Sequence, residues 1–523
     1  MHLQGNVGKN KDGFIYLFLL AYAVLVMILC AGSSPLIRYL SPDSSIFYTM
    51  GRSAADGTVL YKEIADHKGF YLFFFNWVGA WLTPDSMNGL LFVEVCFAWV
   101  KLICVYQCAF LFTQDKKKSV LAAMMFLAAA TNFFSWNTGN LGEQFALAFH
   151  LISLYFMARY MEENRHTDRI AEHRALFMFI HGLCACIVLF IQANLIAMWI
   201  PFGIGLAVIL LKEKYLTNFF KNLGALAGGV AAAAAPVLIY GIAHDCIEDM
   251  YYVMFEINFL YSKDGRRGIT LFSYLKDFLL QPSAGIVILA VLGVVVACRY
   301  YKKRYFMLTF WGMFLFSVLC MSVSLNANPI YYTTYLPFIV PFVIWITEKS
   351  ELLAKPFLGG HYGKYIYAAG LAVFLLTVVC NLQLVKKVFR LGASGYAYES
   401  AEKMGELIAD KDADVLVLGN SLYYNCTGTL PHIKYFTIFG SGLRYETFPY
   451  CIDEQYASLV SGENDYIMIQ FTDDGYGFWG DTKRDEEMNR HLGEEYERIF
   501  EYREGGVHSA LYKRADIDSN GYY

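Results

Sequence analysis

Residues Asp43–Gly69 read DSSIFYTMGRSAADGTVLYKEIADHKG. The stretch lies between an apolar run that ends near Cys30 and the aromatic run FYLFFFNWVGAWL. It carries Asp43, Arg52, Asp56, Glu63, Asp66, His67 and Lys68. So many ionisable groups between two strongly apolar segments point to a loop at a membrane face. The expected organisation is a catalytic outer loop over residues 37–88, with the remaining spans forming a groove beneath it.

The whole chain agrees. It has 523 residues, 57% of them hydrophobic and only 17% charged, against about 25% charged in soluble domains. These values predict a polytopic membrane protein. The net charge of −4 and the lack of a basic tract argue against nucleic acid as a partner. Cys30-Ala31-Gly32 resembles a cleavage site, but the apolar run before it is as long as a span and many spans follow, so a retained first span is expected. Most of the 12 cysteines fall in apolar runs and act as small fillers. None has metal-ligand spacing. Cys426 and Cys451 share the C-terminal part and could pair if it is extracytoplasmic.

Apolar runs predict about eleven spans, near 14–36, 90–112, 120–134, 145–160, 176–191, 195–211, 223–242, 286–297, 306–323, 335–346 and 365–381. Basic clusters at 9–11, 116–118, 159–174, 212–221, 299–304 and 349–364 alternate with loops poor in Lys and Arg. Placing the clusters inside puts the N-terminus in the cytoplasm and the C-terminus outside. Lys263, Arg266 and Arg267 are the exception, basic residues in an outer loop. The run Phe70–Leu82 is too short to cross a ~30 Å core as a helix. It is expected at the interface, with Trp77 and Trp81 at headgroup depth. The expected division is a transmembrane module over 1–385 and a soluble extracytoplasmic α/β domain over 386–523. In the latter, ADVLVLGNS and DYIMIQF read as strands, and SAEKMGELIADK and RDEEMNRHLGEEYERIF have helical periodicity.

Charged groups at the rim of a lipid-embedded scaffold suit chemistry on a lipid-borne substrate. Transfer of a sugar needs a base for the acceptor hydroxyl and a cation for the leaving phosphate. Asp43 is the candidate base and Lys68 the candidate phosphate contact. His67 could donate to the phosphate or orient a neighbour. The competing reading is a set of ordinary solvated loop charges.

The spaced residues Asp43, Gly51-Arg52, Gly57, Tyr61 and Asp66-His67-Lys68-Gly69 resemble the first outer loop of the GT-C superfamily of membrane glycosyltransferases. The bacterial group related to aminoarabinose transferases and protein O-mannosyltransferases is the most similar. Phe70 stands where that group has Pro. GNLGEQFALAFHLISLY resembles its loop between the third and fourth spans, with Glu143 at the acidic position. VLFIQAN resembles a segment often written Arg-Pro-Asn, here Gln192-Ala193-Asn194. NPIYYTTYLPFIVPF, with Tyr331 and Tyr332, resembles its late Tyr-rich segment. The likeness covers roughly residues 10–385.

This resemblance implies inverting transfer of one sugar from a polyprenyl-phosphate-linked donor. The acceptor would be an envelope polysaccharide, lipid or protein. Asp43 would be the base; Lys68, with Arg52, His67, Arg266 and Arg267, would hold the phosphate. Asp66, Glu143, Tyr61, Asn194, Tyr331 and Tyr332 would contact substrate. No cofactor is certain, and Asp66 and Glu143 could bind a divalent cation. Alternatives stay open: Arg266 and Arg267 could contact lipid headgroups, and Arg52 could pair with Asp56 or Asp43. A transporter of lipid-linked sugars would place ionisable groups near mid-membrane. There Glu94 and Lys101, seven apart on one helix face, are expected to pair. A scaffold binding cell-wall polymer would explain the C-terminal part but not the loop. Asn425-Cys426-Thr427 is a glycosylation sequon that matters only in a secretory-pathway cell, and the rest of the chain reads as bacterial.

Overall fold

A computed structural model describes residues 12–264, 270–281, 283–323, 325, 327–350, 362–379, 393–408, 410–437, 449–471 and 482–515. Long apolar runs become helices α1 (Asp12–Cys30), α4 (Asn88–Thr113), α5 (Lys116–Ala130), α6 (Gly142–Glu163), α7 (Ala175–Leu189), α8 (Trp199–Lys212), α9 (Leu216–Ala243), α10 (Ala284–Tyr301), α11 (Arg304–Ser322), α12 (Leu336–Glu348) and α13 (Tyr362–Val379). Each expected span falls on one of them. By length and hydropathy, seven of the described helices, counting the 3-10 turns leading into α8 and α12, are long and apolar enough to cross a membrane.

Between α1 and α4 the chain forms α2 (Pro42–Asp56) and α3 (Phe70–Leu82). Local chemistry sets both ends of α2. Ser41 caps it through its hydroxyl, Pro42 opens it, and Gly57 closes it at φ 108°. The aromatic run is indeed a short helix. It buries Phe70, Leu72, Phe73 and Asn76 and leaves Trp81 exposed near its C-terminal end.

The C-terminal part adds α14 (Ala393–Leu407), β1 (Val415–Leu418), α15 (Leu422–Thr427), α16 (Pro449–Val460), β2 (Tyr466–Phe471), α17 (Thr482–Glu495), β3 (Tyr496–Glu504) and β4 (Val507–Arg514). The strands form one sheet, order β1-β2-β4-β3, with only β1 and β2 parallel. Here the helix expected over RDEEMNRHLGEEYERIF ends at Glu495, and Tyr496 begins a strand. Gly505 and Gly506, both at positive φ, close the β3–β4 hairpin. That turn recruits Tyr496–Glu504 into the sheet against its helical periodicity. No disulfide joins Cys426 to Cys451; the Cys451 thiol donates to the Thr437 carbonyl at 3.1 Å.

The C-terminal part rests on α2. Arg52 donates to the carbonyls of Tyr424, Gly428 and Thr429, at 2.9 Å for Tyr424 and 3.3 Å for Thr429. Asn425 donates to the Ser45 carbonyl at 3.1 Å, and the Ala65 N–H donates to the Lys434 carbonyl at 2.8 Å. Hydrogen bonds from a charged donor are worth about 1.5–3 kcal/mol each and do not add fully. Arg52→Ala is therefore expected to weaken this docking by roughly 3 kcal/mol. Limited proteolysis would show faster release of a C-terminal fragment; an unchanged cleavage rate would remove Arg52 from the docking.

Glu94 and Lys101 do not form the expected ion pair. The Glu94 carboxylate accepts from the Ser33 hydroxyl and, at 2.8 Å, from the Asn140 N–H. Lys101 lies over the Trp136 ring, 5.7 Å from its centroid. Loop contacts thus hold Glu94, which leaves less for a mid-membrane transport site to use.

Candidate functional site

The site gathers at the start of α2. Asp43 is exposed in the first turn of that helix, where unpaired N–H groups favour a negative charge. A second segment, Asn137–Asn140, fixes this end in place. Its four residues all have positive φ, from 41° to 90°, a costly conformation for the three that are not Gly. Hydrogen bonds over-determine it. Thr138 accepts from the Ser41 N–H at 3.0 Å, and the Gly139 carbonyl accepts from the Ser44 hydroxyl at 2.6 Å. Asn140 donates to the Ser44 carbonyl at 3.1 Å and to Asn76 of α3 at 2.8 Å. Three residues beyond it, Glu143 stands buried in the first turn of α6.

Lys68 arrives from the other side. Gly69 makes this possible: an added Cβ would fall 2.2 Å from the Phe190 carbonyl oxygen, so only glycine allows the approach. The Gly69 and Tyr71 N–H groups donate to the Ile191 and Phe190 carbonyls, each at 2.9 Å. This lashes Lys68 to the turn that carries Gln192. Gln192 Oε1 lies against Gly142, which precedes Glu143, and the Glu143 carboxyl is within electrostatic reach of both Lys68 and Asp43. Four polar groups from separate parts of the chain thus converge: an exposed carboxylate, a half-buried ammonium, a buried carboxylate and an amide.

Asp66 and Tyr61 build the turn that presents Lys68. Asp66 accepts from the Lys68 N–H at 3.1 Å and lies 3.4 Å from His67 Nδ1. Burial alone would raise its carboxyl; His67 and Lys68 outweigh that and hold it below the ordinary range. Tyr61, fully buried at φ 71°, donates its hydroxyl to the Lys68 carbonyl at 2.9 Å. Tyr61→Phe leaves that carbonyl unpaired, at a cost of about 1 kcal/mol. A several-fold rise in donor KM with kcat little changed is the expected result; wild-type kinetics would exclude the clamp. Among the described residues, no group of three His, Cys, Asp or Glu is placed to hold a metal ion.

The model of the putative competence-induced protein Ccs4 N-terminal domain matches residues 11–352. The chain belongs to that family. No curated protein matches it in sequence. ArnT from Cupriavidus metallidurans bound to undecaprenyl phosphate is similar in structure, with TM-score 0.58 at 13% identity over 96% of this chain and 98% of ArnT. Its apo form gives 0.55 at 12% identity over the same shares. Archaeal oligosaccharyltransferase AglB from Archaeoglobus fulgidus, in complex with an inhibitory peptide and a dolichol-phosphate, gives 0.51 at 13% identity over 97% of this chain and 75% of AglB. The fold is that of the GT-C glycosyltransferases, and the chain is a multi-pass membrane protein.

In this Ccs4-family chain several expected contacts have other occupations. Arg52 lies nine positions beyond Asp43 on α2, about 13 Å along the axis. Its guanidinium donates to three C-terminal carbonyls, and among the described residues no ion pair joins it to Asp56 or Asp43. Tyr332 is buried, stacks on Phe278 at 5.0 Å and donates to the Phe278 carbonyl. Tyr331 is half-buried on the same 3-10 turn. Asn194 follows Gln192 on the turn against Lys68, and its buried Oδ1 has no hydrogen-bond partner. His67 lends its carbonyl to Asn258 at 2.5 Å. Arg266 and Arg267 lie outside the described residues. Two participants escaped the sequence reading. Gln192 drew attention only as a missing Arg, and of Asn137–Asn140 only Gly139 and Asn140 entered, as the start of the segment carrying Glu143.

Proposed function

We propose that the chain transfers one sugar from a polyprenyl-phosphate-linked donor to a cell-envelope acceptor at the outer membrane face. The observation that carries this reading is the convergence of Asp43, Lys68, Glu143 and Gln192 at one end of α2. The Asp43 carboxylate takes the proton of the acceptor hydroxyl. The hydroxyl oxygen attacks the anomeric carbon as the bond to the phosphate oxygen breaks. Lys68 meets the charge that develops on the departing polyprenyl phosphate. A single displacement of this kind inverts the anomeric centre. Glu143, Gln192 and Asn194 supply acceptors for sugar hydroxyls. The likeness to ArnT, solved with undecaprenyl phosphate, supports a lipid-phosphate donor. In this reading the N-terminus is cytoplasmic, and residues 386–523 form an extracytoplasmic domain.

The test is turnover in nanodiscs with a panel of radiolabelled polyprenyl-phosphate sugars. Protein-dependent donor consumption with a water-stable glycoside as product supports the reading. Movement of intact donor across the bilayer, with none consumed, would replace it with transport.

A further inference from the structure

A polar cavity lies beside the C-terminal half of α2, between the first loop and the C-terminal part. Its volume is about 450 Å³, and its walls include Arg38, Tyr48, Arg52, Asp85, Lys411 and Asn425. Three of these are cations and one is an anion. Arg52 and Asn425 form a fixed floor, because their side chains are already committed to the docking contacts above. Two cations remain at the mouth. Arg38 is exposed, its backbone sits at φ 47°, and its guanidinium has no carboxylate partner among the described residues. Lys411 reaches only Asp85, at 3.4 Å, and both side chains are largely exposed, at 67% and 90%. Such a pair is weak and readily exchanged. Met87 and Asn88 also line the cavity. They begin the 26-residue α4, whose first N–H groups, those of Asn88 and Gly89, already donate to the Ser86 and Thr83 hydroxyls.

We propose that this cavity binds a phosphate-bearing group, with Arg38 and Lys411 as its ligands. A guanidinium fork and an ammonium at the mouth of a cavity with excess positive charge match phosphate oxygens. The floor explains why the C-terminal part must be docked: α15 and the loop carrying Lys411 complete the site that α2 begins. The ligand is either the headgroup of an anionic lipid or a phosphate on a soluble or polymeric glycan. The proposal does not depend on the transferase reading, since it uses none of Asp43, Lys68 or Glu143.

The experiment uses the full chain in detergent, with binding followed by native mass spectrometry and by ligand-induced rise in the unfolding midpoint. The probes are phosphatidylglycerol and glucose 1-phosphate. Arg38→Gln and Lys411→Gln are each expected to weaken binding about tenfold, from loss of one charge-assisted contact. Lys68→Gln separates this site from the donor site and is expected to leave the binding intact. Should an Arg38 variant fold poorly, Asp85→Asn provides the opposite sign and is expected to tighten binding. Binding of the lipid alone assigns a headgroup; binding of the sugar phosphate alone assigns a glycan phosphate. Wild-type affinity in the Arg38/Lys411 double variant, loss of all binding in Lys68→Gln, or no binding of either probe by the wild type would each overturn the proposal.

Discussion

Asp43→Asn is expected to lower sugar transfer by about 10²–10⁴-fold, the range for loss of a positioned general base. The substitution keeps the shape of the side chain and the helix that carries it. It removes the negative charge that takes the proton. Donor affinity should stay within a few-fold of wild type, because Lys68, the proposed phosphate contact, lies on another segment. Since Asp43 is exposed, stability should change little. The check is kcat and donor KM measured side by side with the unfolding midpoint. A variant with near-normal kcat would transfer the base role elsewhere, with Glu143 the next candidate.

Lys68→Ala should act on the other half of the reaction. A charge-assisted contact to phosphate is worth about 1.5–3 kcal/mol, or roughly 10–100-fold in donor affinity. The same charge opposes the one on the leaving group, so kcat should fall as well. Lys68→Arg restores the charge and should recover part of both. The turn itself should survive, because Gly69, Tyr61 and Asp66 hold it through the backbone of residue 68 and not through its side chain. Unchanged donor KM in the Ala variant would show that the phosphate sits elsewhere.

Much of this was legible in the chain. Each of the eleven expected spans falls on a described helix. Part of the DHKG turn was readable, because Asp66 accepts locally from the Lys68 N–H; the approach to Phe190 that Gly69 permits was not. Long-range partners were not readable. Arg52 looked like a phosphate ligand because Arg matches phosphate, yet its partner Tyr424 lies 372 residues away in sequence. Glu94 and Lys101 had helical spacing for a pair, but Ser33 and Asn140 reach the carboxylate first. A single-segment pattern cannot show which distant backbone groups compete for a side chain. The same limit applies to Tyr496–Glu504, where sheet pairing with β4 overrides a helical pattern.

The positive-φ segment at Asn137–Asn140 shows the limit most clearly. Asn and Gly tolerate that conformation, so the composition allowed it. Only the tertiary contacts to Ser41, Ser44 and Asn76 reveal that it orients the helix carrying Asp43.

The most direct measurement is a structure of the wild-type protein in nanodiscs with a polyprenyl monophosphate bound. The phosphate is expected within about 3 Å of Lys68 Nζ, beside the Gln192–Asn194 turn, with Asp43 facing the space the sugar would fill. A phosphate seated away from the Asp66–Gly69 turn, with Lys68 untouched, would show that the groups at the start of α2 are not the donor site.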